Sequence, residues 1–346
     1  MFNDISEGKP VKTKKRPLIL RILLVFFAVI LILLLLAAFT VFVLPLCEGV
    51  SRAPVDGSAD WMARLDDKTP LNLVTLPGTH NAGAANADLP FFSKCQTLGV
   101  REQLDAGYRY LDIRLGMDEE SGELILKHGF TDCKPSPFST HALTLRDVVS
   151  DCRAFLDAHP TEFILFCVKH EHGDFSISEM QTLLAGEIAE APDRWLLTDT
   201  LPVVGEARGK IVLLRRYNDE AGLGGAAGIP FAWNDQGGSM NPTEDVDMNF
   251  PGDFLLWVQD RYEYDADDKW NAFVSGLTIG MEEDEAAVHF LSTKGPLAYG
   301  HPYGFARTLN RRLLDYALPA GEPLGWIIVD FGSAKLAEHI WRHNFD

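Results

Sequence analysis

Apolar segments without a polar face alternate with segments of helical pattern along the chain, and this alternation constrains the fold more than any other feature. Phe163–Val168 and Lys210–Leu214 are the clearest predicted strands. Leu145–His159 is the clearest predicted helix, because Thr144 is a good N-cap and Pro160 cannot continue a helix. Strands that are apolar on both faces need cover on both faces, so the pattern predicts a parallel sheet between helical layers.

The other elements predicted from the sequence continue the same alternation. Further strands are predicted at Asn72–Leu76, Tyr110–Leu115, Glu123–Lys127, Phe254–Gln259 and Trp326–Val329. Further helices are predicted at Val100–Ala106 and Tyr303–Tyr316, and the glycine-rich stretch Gly222–Gly228 predicts a mobile loop. A chain of 346 residues is long enough for one α/β barrel, which commonly takes about 250 residues, and an additional segment.

The segment Ile22–Leu44 is uncharged and almost entirely apolar. Its 23 residues, at about 1.5 Å per helical residue, are long enough to cross roughly 30 Å of hydrocarbon. Signal-peptide cores usually have about 7–15 residues, so the length favours a retained transmembrane helix over a cleaved signal. The alternative is a lipoprotein signal ending at Cys47, but Leu46 is larger than the small residue that such processing normally requires.

The basic residues beside this segment all precede it, and this asymmetry sets the predicted topology. Residues 1–21 hold six basic and two acidic residues, a balance of +4. The pattern predicts a basic cytoplasmic tail at 1–21, a transmembrane helix at 22–44, an extracytoplasmic linker at 45–60 and a globular domain at 61–346. We therefore expect a single-pass protein of the cell membrane, with its N-terminus in the cytoplasm and its globular domain outside the cell.

The remainder of the chain is strongly acidic. The formal net charge of the whole sequence is −18, so the residues after 21 carry −22. Nucleic-acid binding needs basic surface that displaces counterions, so this charge argues against a nucleic-acid partner. It also argues against docking on anionic lipid by charge alone.

Polar residues that a buried strand does not need for packing occur within or after the predicted strands. His80 and His128 each follow a strand, while Asp112 and Arg114 are two apart within one and therefore share a face. Cleaving a phosphodiester needs a base for the attacking hydroxyl, an acid for the leaving alkoxide and positive charge beside the phosphoryl oxygens. Histidine suits both proton transfers because its ordinary pKa is about 6.5.

Several strings resemble, in the same order, the X domain of bacterial phosphatidylinositol-specific phospholipase C. They are LPGTHN with His80, YLDIRL with Asp112 and Arg114, LKHG with His128, LTLRDVV, HPTEFILFCVKHE, GKIVLLRRYN, FAWND, LWVQDRYEY and GWIIVDF with Asp330. The resemblance covers about Trp61–Asp346. It implies an irregular TIM-type (β/α) barrel, with the active site at the carboxyl ends of the strands.

The resemblance also implies catalytic roles. His80 is expected to be the general base on the inositol 2-hydroxyl, with Asp330 behind it. His128 is expected to be the general acid toward the diacylglycerol oxygen, with Asp112 behind it. Arg114 is expected to bind the phosphate. The products would be diacylglycerol and inositol 1,2-cyclic phosphate, which water would open slowly.

A second group of residues falls where the family binds inositol. The resemblance implies substrate binding by Asn81, Lys169, Glu171, Arg216, Trp233, Asp260 and Tyr262. Asn81 departs from the bacterial enzymes, which usually carry aspartate after the catalytic histidine; it is expected to hold Arg114 by a hydrogen bond. Calcium-dependent relatives carry acidic ligands around the phosphate, whereas this chain has Arg114 at the matching position, so no metal or other cofactor is expected.

Two other functions stay open on the sequence. Another barrel phosphodiesterase, related to glycerophosphodiesterases or sphingomyelinase D, would use carboxylate-bound metal, and Arg114 argues against it. A catalytically silent module that binds inositol or glycan is the second, and the complete set of His80, His128, Asp112 and Asp330 argues against it. The sequence does not decide between free phosphatidylinositol and its glycan-linked forms. It also leaves open whether two of the five cysteines, Cys95 and Cys133, form a disulfide.

Overall fold

The computed structural model describes residues 18–171, 173–237, 246–297 and 300–345. All of its strands belong to one sheet of twelve strands. They are β1 Leu76–Thr79, β2 Tyr110–Met117, β3 Leu124–His128, β4 Thr131–Asp132, β5 Ile164–His170, β6 Trp195–Leu196, β7 Ile211–Arg215, β8 Ile229–Pro230, β9 Asp247–Asn249, β10 Leu255–Gln259, β11 Glu285–Phe290 and β12 Trp326–Val329.

Nine α-helices occur within the described ranges. They are α1 Leu18–Ala38, α2 Pro90–Ser93, α3 Val100–Asp105, α4 Leu145–Ala158, α5 Ile177–Ala189, α6 Val204–Ala207, α7 Ala266–Gly276, α8 Pro302–Asp315 and α9 Ala334–Trp341. A π-helix at Phe39–Val43 follows α1, and short 3₁₀ segments occur at Leu44–Leu46, Ser58–Arg64, Leu71–Leu73, Pro192–Arg194, Gly224–Ala227 and Arg342–Phe345.

The sheet curls into an open barrel in the order β6, β7, β5, β2, β1, β12, β11, β10, β9. Neighbours from β6 to β10 pair in parallel, whereas β9 pairs antiparallel to β10, and β3 and β4 form an antiparallel extension of β2. No ladder among the described residues joins β9 to β6 or β8. The irregular α/β barrel expected from the sequence is therefore present, and it is open on one side.

The alternation of side chains along each strand separates the core into two clusters. Leu165 of β5 packs in one cluster with Trp326, whereas its neighbour Phe166 packs in the other. That second cluster contains Val149 and Cys152 of α4. Because successive strand residues point to opposite faces, a strand without polar positions contributes to both clusters.

Most predicted elements agree with the structure, and α4 does so in detail. The Thr144 hydroxyl accepts a hydrogen bond from the Asp147 N–H, which caps the helix as predicted. The strand predicted at 72–76 is wrong: Leu71–Leu73 is a 3₁₀ turn, and β1 begins at Leu76. The Pro and Gly of β1 have low strand propensity, but pairing with β2 on one side and β12 on the other determines its conformation. The glycine-rich loop contains the 3₁₀ turn at Gly224–Ala227.

The N-terminal apolar segment is helical over a longer range than predicted. The continuous helical run Leu18–Leu46, rather than 22–44, has the length and composition of a membrane-crossing helix, and it includes Arg21 near its start. Almost all of it is exposed. Residues 1–17, which form most of the predicted basic tail, lie outside the described residues.

Candidate active site

Two turns after neighbouring strands bring His80 and Asp330 together. Thr79 of β1 pairs with Val329 of β12, so the residues that follow lie side by side. Asp330 Oδ1 lies 2.8 Å from His80 Nδ1. After each of these residues the backbone takes a left-handed conformation, with φ of 44° at Asn81 and 49° at Phe331. Positive φ is uncommon outside glycine and turns the chain sharply at both strand ends.

Arg114 reaches the other nitrogen of the His80 ring. Its Nη2 lies 2.8 Å from His80 Nε2, and its Nε donates to Asp112 Oδ2 at 3.0 Å. The latter contact confirms that Asp112 and Arg114 share one face of β2. Because a guanidinium only donates, His80 Nε2 is the acceptor and Nδ1–H donates to the Asp330 carboxylate. This tautomer leaves the Nε2 lone pair as the basic group of the site.

Asp112 supports Arg114, which differs from the role expected from the sequence. Its buried carboxylate accepts hydrogen bonds from Arg114 Nε and from the Asn81 backbone N–H, the latter at 3.0 Å. Burial raises the pKa of Asp112, but the charges of Arg114 and Arg216 and the hydrogen bond from the Asn81 N–H outweigh burial and hold the pKa below its ordinary value. Asp112 was expected behind His128. The structure turns it toward Arg114, because both side chains occupy the same face of β2.

A backbone carbonyl orients His128 instead. His128 Nδ1 lies 2.8 Å from the carbonyl oxygen of Ser93, so Nδ1 carries the hydrogen and Nε2 is free for proton transfer. The His80 and His128 ring centroids lie 6.0 Å apart, with the planes at 88°. Burial, together with the charge of Arg114, lowers the pKa of His128 to about 4. His128 is therefore neutral near pH 7.

Cys95 lies close to His128, His80 and Asp330, and it was not selected from the sequence. Its Sγ is 3.5 Å from His128 Nδ1. Its sulfur also lies within 4.8 Å of ligand atoms of His80 and Asp330. Burial and the nearby Asp330 raise the pKa of the thiol well above its usual value. A neutral thiol beside the Arg114 charge is a poor metal ligand. Both Cys95 and Cys133 are free thiols, so the possible disulfide is absent.

Glu171 connects Arg114 to the neighbouring strand end. Its Oε1 lies 3.6 Å from Arg114 Nη1 and accepts a hydrogen bond of 3.0 Å from the Gly129 N–H. Its Oε2 lies 2.9 Å from Lys169 Nζ. Burial opposes ionisation of Glu171, but Arg114 and Lys169 lower its pKa far below the ordinary value. Glu171 is therefore an anion that holds two cations at the wall of the site.

Asp260 organises a second charged group farther around the barrel. Arg216 Nη2 and Trp233 Nε1 each lie 3.3 Å from Asp260 Oδ2. The Arg216 guanidinium also lies over the Trp233 ring, 3.5 Å from its centroid. Tyr262, predicted to stack on the substrate, donates its hydroxyl to Asp235 at 2.9 Å. Asp235, unlike Tyr262, was not selected from the sequence.

Most of the predicted site residues surround one cavity of about 350 Å³. Its lining includes His80, Arg114, His128, Lys169, Glu171, Arg216, Asp260, Tyr262 and Asp330. Asn81, Asp112 and Trp233 do not line it. The Asn81 side chain is fully buried and has no hydrogen-bond partner among the described residues, so the expected bond to Arg114 is absent.

The cavity also contains residues that the sequence analysis missed. They are Ser93, Gly129, Phe130, Asp235, Ser292, Thr293, Lys294, Gly300 and Pro302. Ser292–Lys294 follow β11, whose sequence Glu-Ala-Ala-Val-His-Phe is too poor in large apolar residues to be predicted as a strand. The predicted elements leave a long stretch without a strand before β12. That stretch was the signal from which a strand at β11 could have been inferred.

Part of the chain matches the model of one known protein family. Residues 75–217 match the family model described as phosphatidylinositol-specific phospholipase C, X domain. A 1-phosphatidylinositol phosphodiesterase of Staphylococcus aureus is 26% identical over 82% of this chain and 90% of its own length. One from Listeria monocytogenes is 29% identical over 44% of this chain and 47% of its own length. These matches confirm the family resemblance inferred from the sequence.

Solved structures confirm the barrel. A phosphatidylinositol-specific phospholipase C from S. aureus superposes with a TM-score of 0.67 at 22% identity, covering 82% of this chain and 97% of its own. The enzyme from L. monocytogenes superposes with a TM-score of 0.62 at 22% identity, covering 84% and 99%. At this identity the likeness establishes the fold, and the chemistry depends on the site residues themselves.

Proposed function

We propose that this chain, a member of the phosphatidylinositol-specific phospholipase C X-domain family, cleaves phosphatidylinositol or its glycan-linked forms into diacylglycerol and inositol 1,2-cyclic phosphate. One observation carries the proposal: two histidines of fixed tautomer line one cavity together with Arg114. A base, an acid and a cation are the groups that intramolecular cleavage of a phosphodiester needs.

His80 is the proposed general base. Its Nδ1–H is held by Asp330, which fixes the ring and stabilises the imidazolium that forms when Nε2 takes a proton. Arg114 donates to that same Nε2. We infer that an anionic phosphodiester draws the guanidinium away, because Arg114 then gains a charged partner and the Nε2 lone pair becomes available to the inositol 2-hydroxyl.

His128 is the proposed general acid. Its pKa of about 4 results from burial and the adjacent positive charge. A bound phosphodiester carries one negative charge, which offsets Arg114 and favours protonation of His128. The Ser93 carbonyl keeps the Nδ1 proton in place, so Nε2 delivers its proton to the diacylglycerol oxygen. The acid is thus charged only when the substrate is present.

Arg114 is proposed to supply the positive charge that a metal supplies in calcium-dependent relatives. The guanidinium is anchored by Asp112 and Glu171 and stays cationic, because those anions raise its pKa against the effect of burial. A second cation in the same space would be repelled, which favours a metal-independent reaction. Lys169, Arg216, Asp260 and Tyr262 are proposed to bind the inositol hydroxyls.

The helical run Leu18–Leu46 is proposed to anchor the enzyme in the cell membrane with the barrel outside. Its length and its exposed apolar side chains support a membrane crossing, and the basic residues that precede it support a cytoplasmic N-terminus. The acidic barrel then needs no basic surface to stay near lipid. A cleaved leader would give the same external location without the anchor.

The function is tested with the full chain in detergent micelles that contain phosphatidylinositol. We expect release of water-soluble inositol phosphate, with the cyclic ester as the first product by phosphorus NMR, in buffer with excess chelator. Activity that appears only on adding a divalent metal would favour a metal-dependent phosphodiesterase. Binding of the substrate without any turnover would favour a silent inositol-binding module.

A further inference from the structure

The last residues of the apolar helical run and those that follow it are fixed to the barrel surface. We define these residues as the strap, Leu44–Arg52. Lys94 Nζ donates to the carbonyl oxygens of Pro45 and Glu48, at 2.8 and 2.9 Å. The Glu48 carboxylate lies 2.8 Å from His301 Nε2. Lys94 follows α2 and His301 precedes α8, so two separate parts of the barrel hold the start of the strap.

The end of the strap is held as well. The Tyr303 hydroxyl donates to the Gly49 carbonyl at 3.2 Å, and the Val50 N–H donates to the Thr97 hydroxyl at 3.1 Å. Arg52 donates to the Thr97 carbonyl at 2.8 Å and also pairs with Glu102. Contacts at successive residues leave little freedom for the strap to move as a flexible linker.

The parts of the barrel that hold the strap also form the wall of the cavity. His301 Nδ1 lies 2.8 Å from the Phe91 carbonyl oxygen, and the two rings stack with centroids 4.0 Å apart and planes at 2°. The residues next to this pair, Phe92 and Pro302, line the cavity. The apolar helix therefore leaves the barrel at the rim of the cavity.

We propose that the strap holds the cavity against the surface of the membrane that α1 enters, so that the enzyme acts on lipid of its own bilayer. The partner is a lipid bilayer, and the source of substrate is the leaflet beside the anchor. This inference rests on the proposed phospholipase activity and membrane anchor. Phe130, which lines the cavity and is 61% exposed, is placed to touch that leaflet.

The net negative charge of the barrel explains why a fixed attachment to the bilayer would help the enzyme. A body with a net charge of −22 is not attracted to anionic lipid, so a free barrel would meet the bilayer rarely. A short tether raises the effective concentration of the bilayer surface to about millimolar, without any new contact. This advantage requires a geometry that lets the cavity reach the surface, and the strap supplies a fixed orientation.

The test uses the full chain reconstituted in vesicles of neutral phosphatidylcholine. In one sample these vesicles also contain phosphatidylinositol. In the other sample the phosphatidylinositol is present only in separate vesicles at equal total concentration. We expect faster hydrolysis in the same-vesicle sample by about tenfold or more. Equal rates would overturn the proposal. Hydrolysis of a soluble short-chain phosphatidylinositol is measured in parallel, and its absence would overturn the proposed function itself.

A variant of the strap tests whether the fixed orientation of the barrel matters in addition to the anchor. Lys94→Met with Arg52→Gln removes the side-chain contacts that Lys94 makes at the start of the strap and that Arg52 makes at its end, without altering a cavity-lining residue. We expect same-vesicle hydrolysis to fall several-fold while hydrolysis of the soluble substrate is unchanged. The matched control is Arg146→Gln, which removes a surface ion pair with Glu187 on the helical layer. Unchanged same-vesicle hydrolysis in the strap variant, with the soluble rate retained, would contradict the strap's role.

Discussion

His80 and Asp330 occupy matching positions after two adjacent parallel strands, and the carboxylate lies 2.8 Å from the ring nitrogen. The register of the β1–β12 ladder therefore sets the tautomer of the proposed base. A shift of this register by one residue would turn one of the two side chains to the opposite face of the sheet. The chemistry of the site depends on the sheet as much as on the residue types.

Asp330→Asn should lower turnover on phosphatidylinositol by about 10²-fold or more. The amide can donate to His80 Nδ1, which favours the tautomer with the hydrogen on Nε2, and it lends no charge to the imidazolium. Turnover and substrate affinity measured separately distinguish this effect from lost binding, since we expect the change mainly in kcat. A variant with wild-type kcat would contradict the proposed role of Asp330.

His80→Ala and His128→Ala should each lower activity by at least about 10²–10⁴-fold, the range for general acid–base catalysis. Neither side chain belongs to a core cluster, so thermal unfolding midpoints should stay close to that of the wild type. His141→Ala is the matched control, because His141 is exposed and lies outside the cavity. Near-normal activity of either catalytic variant would refute the mechanism.

Arg114→Lys should retain little activity, because a point charge cannot replace the guanidinium fork between His80 and Asp112. Wild-type activity should persist in excess chelator. Initial rates with and without chelator, for both proteins, check the two expectations together. If chelator abolishes wild-type activity and calcium restores it, the role assigned to Arg114 is wrong.

Arg109→Met should destabilise the barrel by about 3–5 kcal/mol. Arg109 and Glu162 are both fully buried, and two nitrogens of the guanidinium lie 2.7 and 3.0 Å from Glu162 Oε2. The single variant leaves a buried carboxylate without its cation, whereas Arg109→Met with Glu162→Leu removes both charges. Chemical denaturation should show the double variant to be more stable than the single one. The reverse order would show that the unpaired carboxylate is not the main cause of the destabilisation.

Stability should fall as the pH decreases below about 6.5, in part because of His289. This histidine on β11 is 1% exposed, and burial and the nearby Lys269 lower its pKa to about 3. Between pH 6.5 and 3 the unfolded chain binds a proton that the folded chain excludes, so the free energy of unfolding falls as the pH is lowered through that window. Urea midpoints of His289→Gln should depend less on pH than those of the wild type. Parallel curves would exclude this contribution.

The sequence predicted the strands whose apolar character is continuous, such as β12 at Trp326–Val329, with correct bounds. It failed at β1 and β11, where pairing with two neighbours outweighs a composition of small or polar residues. Most of the site residues predicted from the sequence do line one cavity, because parallel strands bring their carboxyl ends to one edge. The partner of His128 was not predictable, since Ser93 contributes a backbone carbonyl that any residue type carries.

The β1–β12 ladder also determines when, during synthesis, a working site first exists. His80 and Asp330 are 250 positions apart, and β1 gains one of its two flanking strands only from the end of the chain. Contacts of such large sequence separation form late, because the intervening chain must first be brought to order. A nascent chain that ends before Trp326 already holds His80, Arg114 and His128, yet β1 remains a sheet edge and the proposed base lacks its carboxylate. Catalytic competence therefore arrives with the last strand.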